Sequence, residues 1–513
     1  MEARNFISAR EMVTEGNWLL TTMNDFPRYE KPPLPTWLTA IAAYLFGIDN
    51  SYALRLPTAL MAIMLVLVLC FFSLKLLNDK KHSLINGLVI MTSFYIIAIT
   101  IEAPWDIYTH GFMLTGIYFL FQFFQHHKKL WRNALLAALF IGLSFMSKGP
   151  ISLYGLFLPF LIAYGVTFRF SSFKGKWGAF IVFLIATILI SSWWFVYVRI
   201  ADPEAFLAIT KKETGNWGSY NIRPFYYYWS FFTQSGIWTI PAFVSLLYPY
   251  LKNKVSNKKG YLFSFLWTIS VVVLLSIIPE KKSRYLVPVL IPLAINIGFY
   301  IEYLIREFKN ITDWKEKFPI YFHFAIIAAI GIVFPFAGYF MFNEKINNEW
   351  LNFVIMATIL FIIGISIIYQ LRKKNITLLF FLSIGFIMSI TVFGIPISKA
   401  FHVNKDHKNI NLLYQKTTTN RLTVYNYGEI APEMVWYYGR AIPVLKQDEQ
   451  ITVPSDTAFG VLVTLHEENE FKRIFGKNHT LILEETFDLN KTSSSEQKGY
   501  KKRLVSQYYI VKK

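Results

Sequence analysis

Glu30 and Lys31 stand directly before Pro32, Pro33 and Pro35 in the stretch RYEKPPLPTW. Prolines remove backbone donors and push the residues before them out of the helical region, so this stretch predicts a stiff, extended elbow. A lysine held there can bind a phosphate, and a carboxylate can orient a substrate or hold a metal. An interfacial ion pair that does no more than cap the elbow is the bland alternative. Four further groups invite the same question. Asp106, in IEAPWDIYTH, is either a helix N-cap or a carboxylate facing a cavity, with Glu102 as its near competitor. Lys148, in SKGP, either snorkels or holds a phosphate. KKETGNWGSYNIRPFYYYW brings Glu213 and Arg223 together with four tyrosines, either an interfacial aromatic belt or a sugar- and phosphate-binding loop. PEKKSRYLVP gathers Lys281, Lys282, Arg284 and Tyr285, which suits anionic lipid headgroups or a phosphate and its developing charge. Acids to take a proton from a hydroxyl and cations to stabilise a phosphate leaving group are the inventory for chemistry on a lipid-linked phosphate.

The elements that must position these residues are membrane helices. Of 513 residues, 54% are hydrophobic and 18% aromatic, while 16% are charged, too few for a soluble chain of this length. Apolar runs predict twelve spans, at 55–77, 84–101, 107–125, 131–146, 151–168, 178–199, 226–251, 260–278, 285–305, 318–342, 350–371 and 376–398. TWLTAIAAYLFG is too short to cross and reads as an interfacial helix. The connecting loops alternate. One set (NDKKHS, HHKKLWR, RFSSFKGK, KNKVSNKK, REFKNITDWKEK, RKKN) holds 19 Lys and Arg against four acids and is expected in the cytoplasm. The net charge of +19 is therefore mostly orientation signal, and nucleic-acid binding is unnecessary to explain it. The other set, including NEKINNE, is expected outside and contains every group named above; charges there are not explained by orientation.

Three regions follow: an external loop with interfacial helices over 1–54, a transmembrane helical domain over 55–398, and a small α/β extracytoplasmic domain over 399–513. The last is far more polar, with strand-like runs LTVYNYG, FGVLVTL, HTLILEE and VSQYYIV and a helical EIAPEMVWYYG. Cys70 is the single cysteine and has no partner for an intramolecular disulfide.

The stretch EARNFISAREMVTEGNWLLTTMND, followed by RYEKPPLPTWLTA and YALRLPTAL, resembles the start of membrane glycosyltransferases of the aminoarabinose-transferase and protein O-mannosyltransferase kind, the GT-C fold. The resemblance covers roughly residues 2–300. It implies a polyprenyl-phosphate-linked sugar donor, membrane lipids as surroundings, and transfer to a lipid, glycan or protein acceptor on the extracytoplasmic face of the cytoplasmic membrane. It assigns Glu2 and Arg4 to the acidic-start motif, with Glu2 catalytic. Glu30 becomes the tentative ligand of a divalent metal, Lys31 a donor-phosphate contact, Asp106 the second acidic position and Tyr285 a phosphate-contacting tyrosine. Two positions depart from the pattern. Met1 stands where the family has an Asp, and the long loop has no His, Glu213 being the candidate substitute. A lipid-sugar flippase is the main rival, yet a transporter should carry its ionisable residues near mid-membrane, and these spans are nearly free of them. An oligosaccharide ligase is the second rival. Twelve spans leave both ends outside, so an additional helix is expected upstream of Met1.

Overall fold

The computed structural model describes residues 2–102, 105–170, 173–219, 221–342, 349–398, 404–447, 450–493 and 499–513. Met1 and most of the loop expected outside at NEKINNE lie outside them. The chain forms two compact units. One gathers Met1–Arg28, Thr39–Leu54 and Ser398–Lys513; the other comprises Tyr29–Leu38 and Arg55–Ile397. The residues expected to form a single loop over 1–54 are thus shared between them.

The larger unit is helical and multi-pass. Among the described residues eight helices are long and apolar enough to cross a bilayer: Ser51–Leu77, Leu130–Lys148, Trp177–Ala201, Lys258–Ile277, Ser283–Glu307, Trp314–Met341, Trp350–Arg372 and Ile376–Ser398. Lys80–Met91 and Phe94–Glu102, bent by 54°, make a ninth if taken as one broken span. The expected count of twelve is not reached, for three reasons. The run at 226–251 is apolar but broken: 3-10 turns at Phe225–Tyr228 and Phe231–Trp238 give way to the short helices Thr239–Ser245 and Tyr248–Leu251. Gly236 sits at φ 66°, ψ −114°, and Pro241 and Pro249 follow, so hydropathy was met where helix continuity was not. A Cβ on Gly236 would also lie 2.6 Å from the Cβ of Phe94. The run at 151–168 opens with a π turn, Leu153–Phe157, and continues as the short helix Leu158–Phe168. The run at 107–125 is a continuous helix, Asp106–Gln125, but less apolar than the eight, with Asp106, Thr109, His110 and Thr115 among its buried residues.

Two packing features position the site. Asp106–Gln125 and Leu130–Lys148 form a tight antiparallel hairpin: a Cβ on Gly116 would come within 2.6 Å of Ile141 Cγ1 and 3.3 Å of the Ala137 carbonyl. Ser283–Glu307 is central, with 89% of its most apolar window buried.

The smaller unit contains a four-stranded sheet. Val424–Tyr427 runs parallel to Ala458–Thr464, and Val505–Lys512 lies antiparallel between Ala458–Thr464 and Thr480–Asp488. These are the four strand-like runs of the sequence, and Pro432–Tyr438 is the expected helix. The N-terminal helix Glu2–Thr14 is part of this unit. Ile7 is in its core beside Met434, Val435 and Tyr508. Buried Arg10 donates from Nη1 to the Trp436 carbonyl at 3.2 Å and from Nη2 to that of Val435 at 3.3 Å. Asn24 exchanges hydrogen bonds with the backbone of Ile442 at 2.9 and 2.7 Å.

Candidate active site

The proline elbow belongs to the larger unit and is anchored on both sides. The Tyr29 hydroxyl donates to Asp202 Oδ2 at 2.8 Å, and Trp37 stacks on Trp193 with ring centroids 5.9 Å apart. Pro32 and Pro33 are buried, and the Trp37 amide donates to the Pro33 carbonyl at 2.8 Å, so the Leu34–Phe46 helix starts immediately after the elbow. This leaves Glu30 exposed and Lys31 half-buried. The Lys31 ammonium has no hydrogen bond or ion pair among the described residues; the charges around it are those of Glu213, Asp106, Arg284 and Glu30. Burial lowers its pKa below the ordinary lysine value, an effect that Glu213 and Asp106 oppose and Arg284 reinforces.

Asp106 is the first residue of one hairpin helix and Lys148 the last of the other. Antiparallel packing brings both to the same end, where Lys148 Nζ donates to Asp106 Oδ1 in a fully buried ion pair. The N-cap alternative for Asp106 is not what its carboxylate does: Oδ1 is taken by Lys148, and Oδ2 is buried with no hydrogen-bond partner among the described residues. Lys148 Nζ also sits 5.1 Å from the ring centroid of Tyr285. Tyr154 faces the same group, within electrostatic reach of Tyr285, Glu280 and Asp106.

The two aromatic and basic loops fold as one. Ile222 bridges Glu280 in antiparallel fashion, the Arg223 amide donates to the Pro279 carbonyl at 3.2 Å, and the Lys281 amide to the Asn221 carbonyl at 3.1 Å. The Tyr228 hydroxyl accepts from the Lys282 amide at 2.9 Å and donates to the Lys282 carbonyl at 3.0 Å. Within this frame Lys282 Nζ pairs with Glu280 Oε1 at 2.5 Å, the Tyr285 hydroxyl donates to the same oxygen at 3.3 Å, and the Arg284 guanidinium carbon lies 5.8 Å from the Tyr285 ring centroid.

Lys31, Asp106, Glu213, Arg284, Lys282 and Tyr285 are therefore drawn into one neighbourhood. Lys281 is turned away from it: its ammonium is buried and donates to the carbonyls of Arg223, at 3.1 Å, and Ile278, at 2.5 Å, bracing the joined loops. Arg223 enters this frame through its backbone, its side chain being exposed. Glu2 and Arg4 belong to the smaller unit; the Arg4 carbonyl accepts from Arg28 Nη1 at 2.7 Å.

Residues 30–195 match the dolichyl-phosphate-mannose-protein mannosyltransferase family. An uncharacterised protein of Aquifex aeolicus is 26% identical over 60% of this chain and 60% of its own length. The undecaprenyl phosphate-alpha-4-amino-4-deoxy-L-arabinose arabinosyl transferase 1 of Proteus mirabilis is 25% identical over 80% of this chain and 74% of its own. The crystal structure of ArnT from Cupriavidus metallidurans bound to undecaprenyl phosphate superposes with a TM-score of 0.68 over 99% of this chain and 93% of that one, at 15% identity, and shares the fold. The chain thus has the fold of the ArnT structure and is similar in sequence to these membrane transferases.

Lys148 stood out in the sequence, but as a snorkelling or phosphate-holding residue rather than as the partner of Asp106. In a hairpin of two helices the first residue of one and the last of the next share an end, so an acid at 106 and a base at 148 are natural partners. Glu280 and Tyr154 of the same cluster had no signal in the sequence. A divalent metal has no ready place among the described residues. Glu30, its tentative ligand, is exposed, and no group of three or more His, Cys, Asp or Glu side chains arranged for a shared ion occurs among the described residues.

Proposed function

We propose that this chain transfers a sugar from a polyprenyl-phosphate-linked donor to an acceptor hydroxyl or phosphate on a lipid, glycan or protein, at the extracytoplasmic face of the cytoplasmic membrane. The observation that carries the reading is the half-buried Lys31 ammonium, without a partner among the described residues, in the field of Asp106 and Arg284. Lys148 is committed to Asp106 and Lys282 to Glu280, which leaves Lys31, with the Arg284 charge beside it, to meet an incoming phosphate.

In this reading Lys31 and Arg284 hold the donor phosphate, with Lys282 and the Tyr285 hydroxyl at its rim. Their charge stabilises the phosphate as it leaves, in a site where fixed cations act far more strongly than in water. The acceptor hydroxyl attacks the anomeric carbon from the opposite face. The carbon–oxygen bond to the phosphate breaks with its electron pair on polyprenyl phosphate, and the anomeric configuration inverts. Asp106 takes the hydroxyl proton at Oδ2, while Lys148 on Oδ1 keeps the carboxylate ionised and oriented. Glu213 serves as a substrate contact beside Lys31. The ArnT fold and the names of the relatives support this reading. A flippase is disfavoured because the ionisable residues cluster at helix ends and in loops.

The test is incubation of the reconstituted chain with a radiolabelled polyprenyl-phosphate sugar and envelope extract. Labelled acceptor and released polyprenyl phosphate are expected in equal amounts. Movement of intact donor across the bilayer, with no polyprenyl phosphate released, overturns the proposal in favour of the flippase.

A further inference from the structure

The run from Ser152 to Phe168 begins with the π turn Leu153–Phe157, in which the Leu158 amide donates to the Leu153 carbonyl five residues back. Such turns carry one residue more than an α-helical turn and recur at functional sites. The extra residue rotates the turn by roughly 100° relative to the helix that follows, so its side chains face a side that a continuous helix would not give them. This turn is held at both ends. Ser144 Oγ donates to the Thr109 carbonyl at 2.7 Å; its single proton is thereby committed, so Ser152 Oγ donates to Ser144 Oγ, also at 2.7 Å. At the far end the Trp267 indole donates to the Leu156 carbonyl at 3.1 Å. Ser144, Ser152, Leu156 and Trp267 are all buried. Between the two fixings Gly155 sits against Pro288 and Leu275, where a Cβ would lie 3.7 and 3.8 Å from their side chains.

The side chain that this turn presents is Tyr154. Thr109 is three residues beyond Asp106 and Pro288 three beyond Tyr285, so the contacts of the turn tie it to the segments that carry the proposed base and the rim of the phosphate site. Tyr154 is in electrostatic reach of Tyr285, Glu280 and Asp106. It is half-buried, and its hydroxyl makes no hydrogen bond among the described residues. Its neighbours differ. The Tyr285 hydroxyl donates to Glu280 at 3.3 Å, and the Tyr228 hydroxyl to the Lys282 carbonyl at 3.0 Å. A phenol fixed through its backbone, with its hydroxyl uncommitted, is placed to meet a ligand with a polar substituent and a ring face to cover.

In a displacement with inversion the transferred sugar lies between the leaving group and the carboxylate that takes the acceptor's proton on the opposite face. Here those are the phosphate rim at Tyr285 and Asp106, and Tyr154 reaches both. We infer that Tyr154 is a specificity-determining contact to the sugar of the donor, its hydroxyl bonded to a ring hydroxyl and its own ring against the sugar face. The inference rests on the transfer reading above for where the sugar lies. A neutral phenol selects by hydrogen bonding and shape, while the phosphate is held by Lys31 and Arg284 in that reading.

The experiment uses the full chain in nanodiscs and measures affinity for undecaprenyl phosphate bare, carrying a hexose (mannose) or carrying a pentose (4-amino-4-deoxyarabinose). The wild type should bind one of the sugar-bearing lipids more tightly than the bare one. Tyr154→Phe removes the hydroxyl alone and should weaken that donor about three- to tenfold, the range for one hydrogen bond, with bare undecaprenyl phosphate bound within about twofold of wild type. Tyr154→Ala removes the ring as well and should weaken the donor further, again sparing the bare lipid; unfolding midpoints near wild type show that both variants are folded. Equal weakening of bare and sugar-bearing lipid would make Tyr154 a phosphate or tail contact and overturns the inference. So does a donor preference that is absent from the wild type or undiminished in both variants. Failure of the transfer reading shows separately, as a wild type that discriminates among these lipids yet releases no undecaprenyl phosphate in the transfer assay.

Discussion

Asp106 and Lys148 close the Asp106–Gln125/Leu130–Lys148 hairpin with an ion pair that is almost wholly out of solvent, at the end where Lys148 also covers the Tyr285 ring. A buried pair is worth little against two apolar side chains, but removing one partner strands the other. Lys148→Met should therefore destabilise the protein by about 3–5 kcal/mol. Asp106→Asn/Lys148→Met should recover much of that loss and still be inactive. Thermal unfolding in nanodiscs and a transfer assay on the single and double variants check both halves.

Lys31 has no hydrogen-bond or ion-pair partner to strand among the described residues. Lys31→Ala should leave the unfolding midpoint near wild type and lower turnover about 10²–10³-fold, the range for losing one charge-stabilising group in a dry site. Lys31→Arg should restore part of the rate. A variant with wild-type turnover would reduce Lys31 to an elbow residue.

The lowered Lys31 pKa gives a pH signature. The folded state binds the proton less tightly than the unfolded chain does, so burial of the charged form costs stability below the folded pKa. That cost disappears as pH rises through the window between the lowered folded value and the ordinary lysine value. Relative to Lys31→Met, the wild type should gain stability across that window, while its affinity for a phosphate donor should fall there as the ammonium is lost. Chemical denaturation and donor binding over an alkaline pH series read the two opposite slopes.

Tyr285 separates ring from hydroxyl. Tyr285→Phe keeps the face beneath Lys148 and loses the bond to Glu280, and should lower activity by less than about tenfold, one modest hydrogen bond. Tyr285→Ala removes the face as well and should cost considerably more. Steady-state turnover of the two variants decides the order.

In the smaller unit, Ile7→Ala should destabilise the sheet domain by about 2–5 kcal/mol, as for a large-to-small change in any packed core. Limited proteolysis within 404–513 should accelerate in that variant, a result that no view of the N-terminus as a bare loop anticipates.

How far these elements were readable depended on whether the deciding interaction was local. The strands at 424–427, 458–464, 480–488 and 505–512 were visible because alternation and turn residues are local signals. The run at 226–251 misled because hydropathy averages over Gly236, Pro241 and Pro249, which act singly. Lys31, Asp106, Arg284 and Tyr285 could be singled out by type and by loop. Their convergence with Lys148 and Glu280, and the withdrawal of Lys281 to the carbonyls of Arg223 and Ile278, depend on chain separations that no spacing reports. The role of Glu2–Thr14 was hidden for the same reason, since its partners lie more than four hundred residues away.

That last separation has a consequence for biogenesis. Arg10 meets the Val435 carbonyl across 425 residues of chain, nearly all of which must be made before the contact can form. At roughly 5–20 residues per second, the N-terminal helix waits on the order of twenty to ninety seconds after its own synthesis with Ile7 and Met12 uncovered. Its apolar face must be sheltered during that interval, because the smaller unit cannot close until residues 2–28 and 398–513 have both been made.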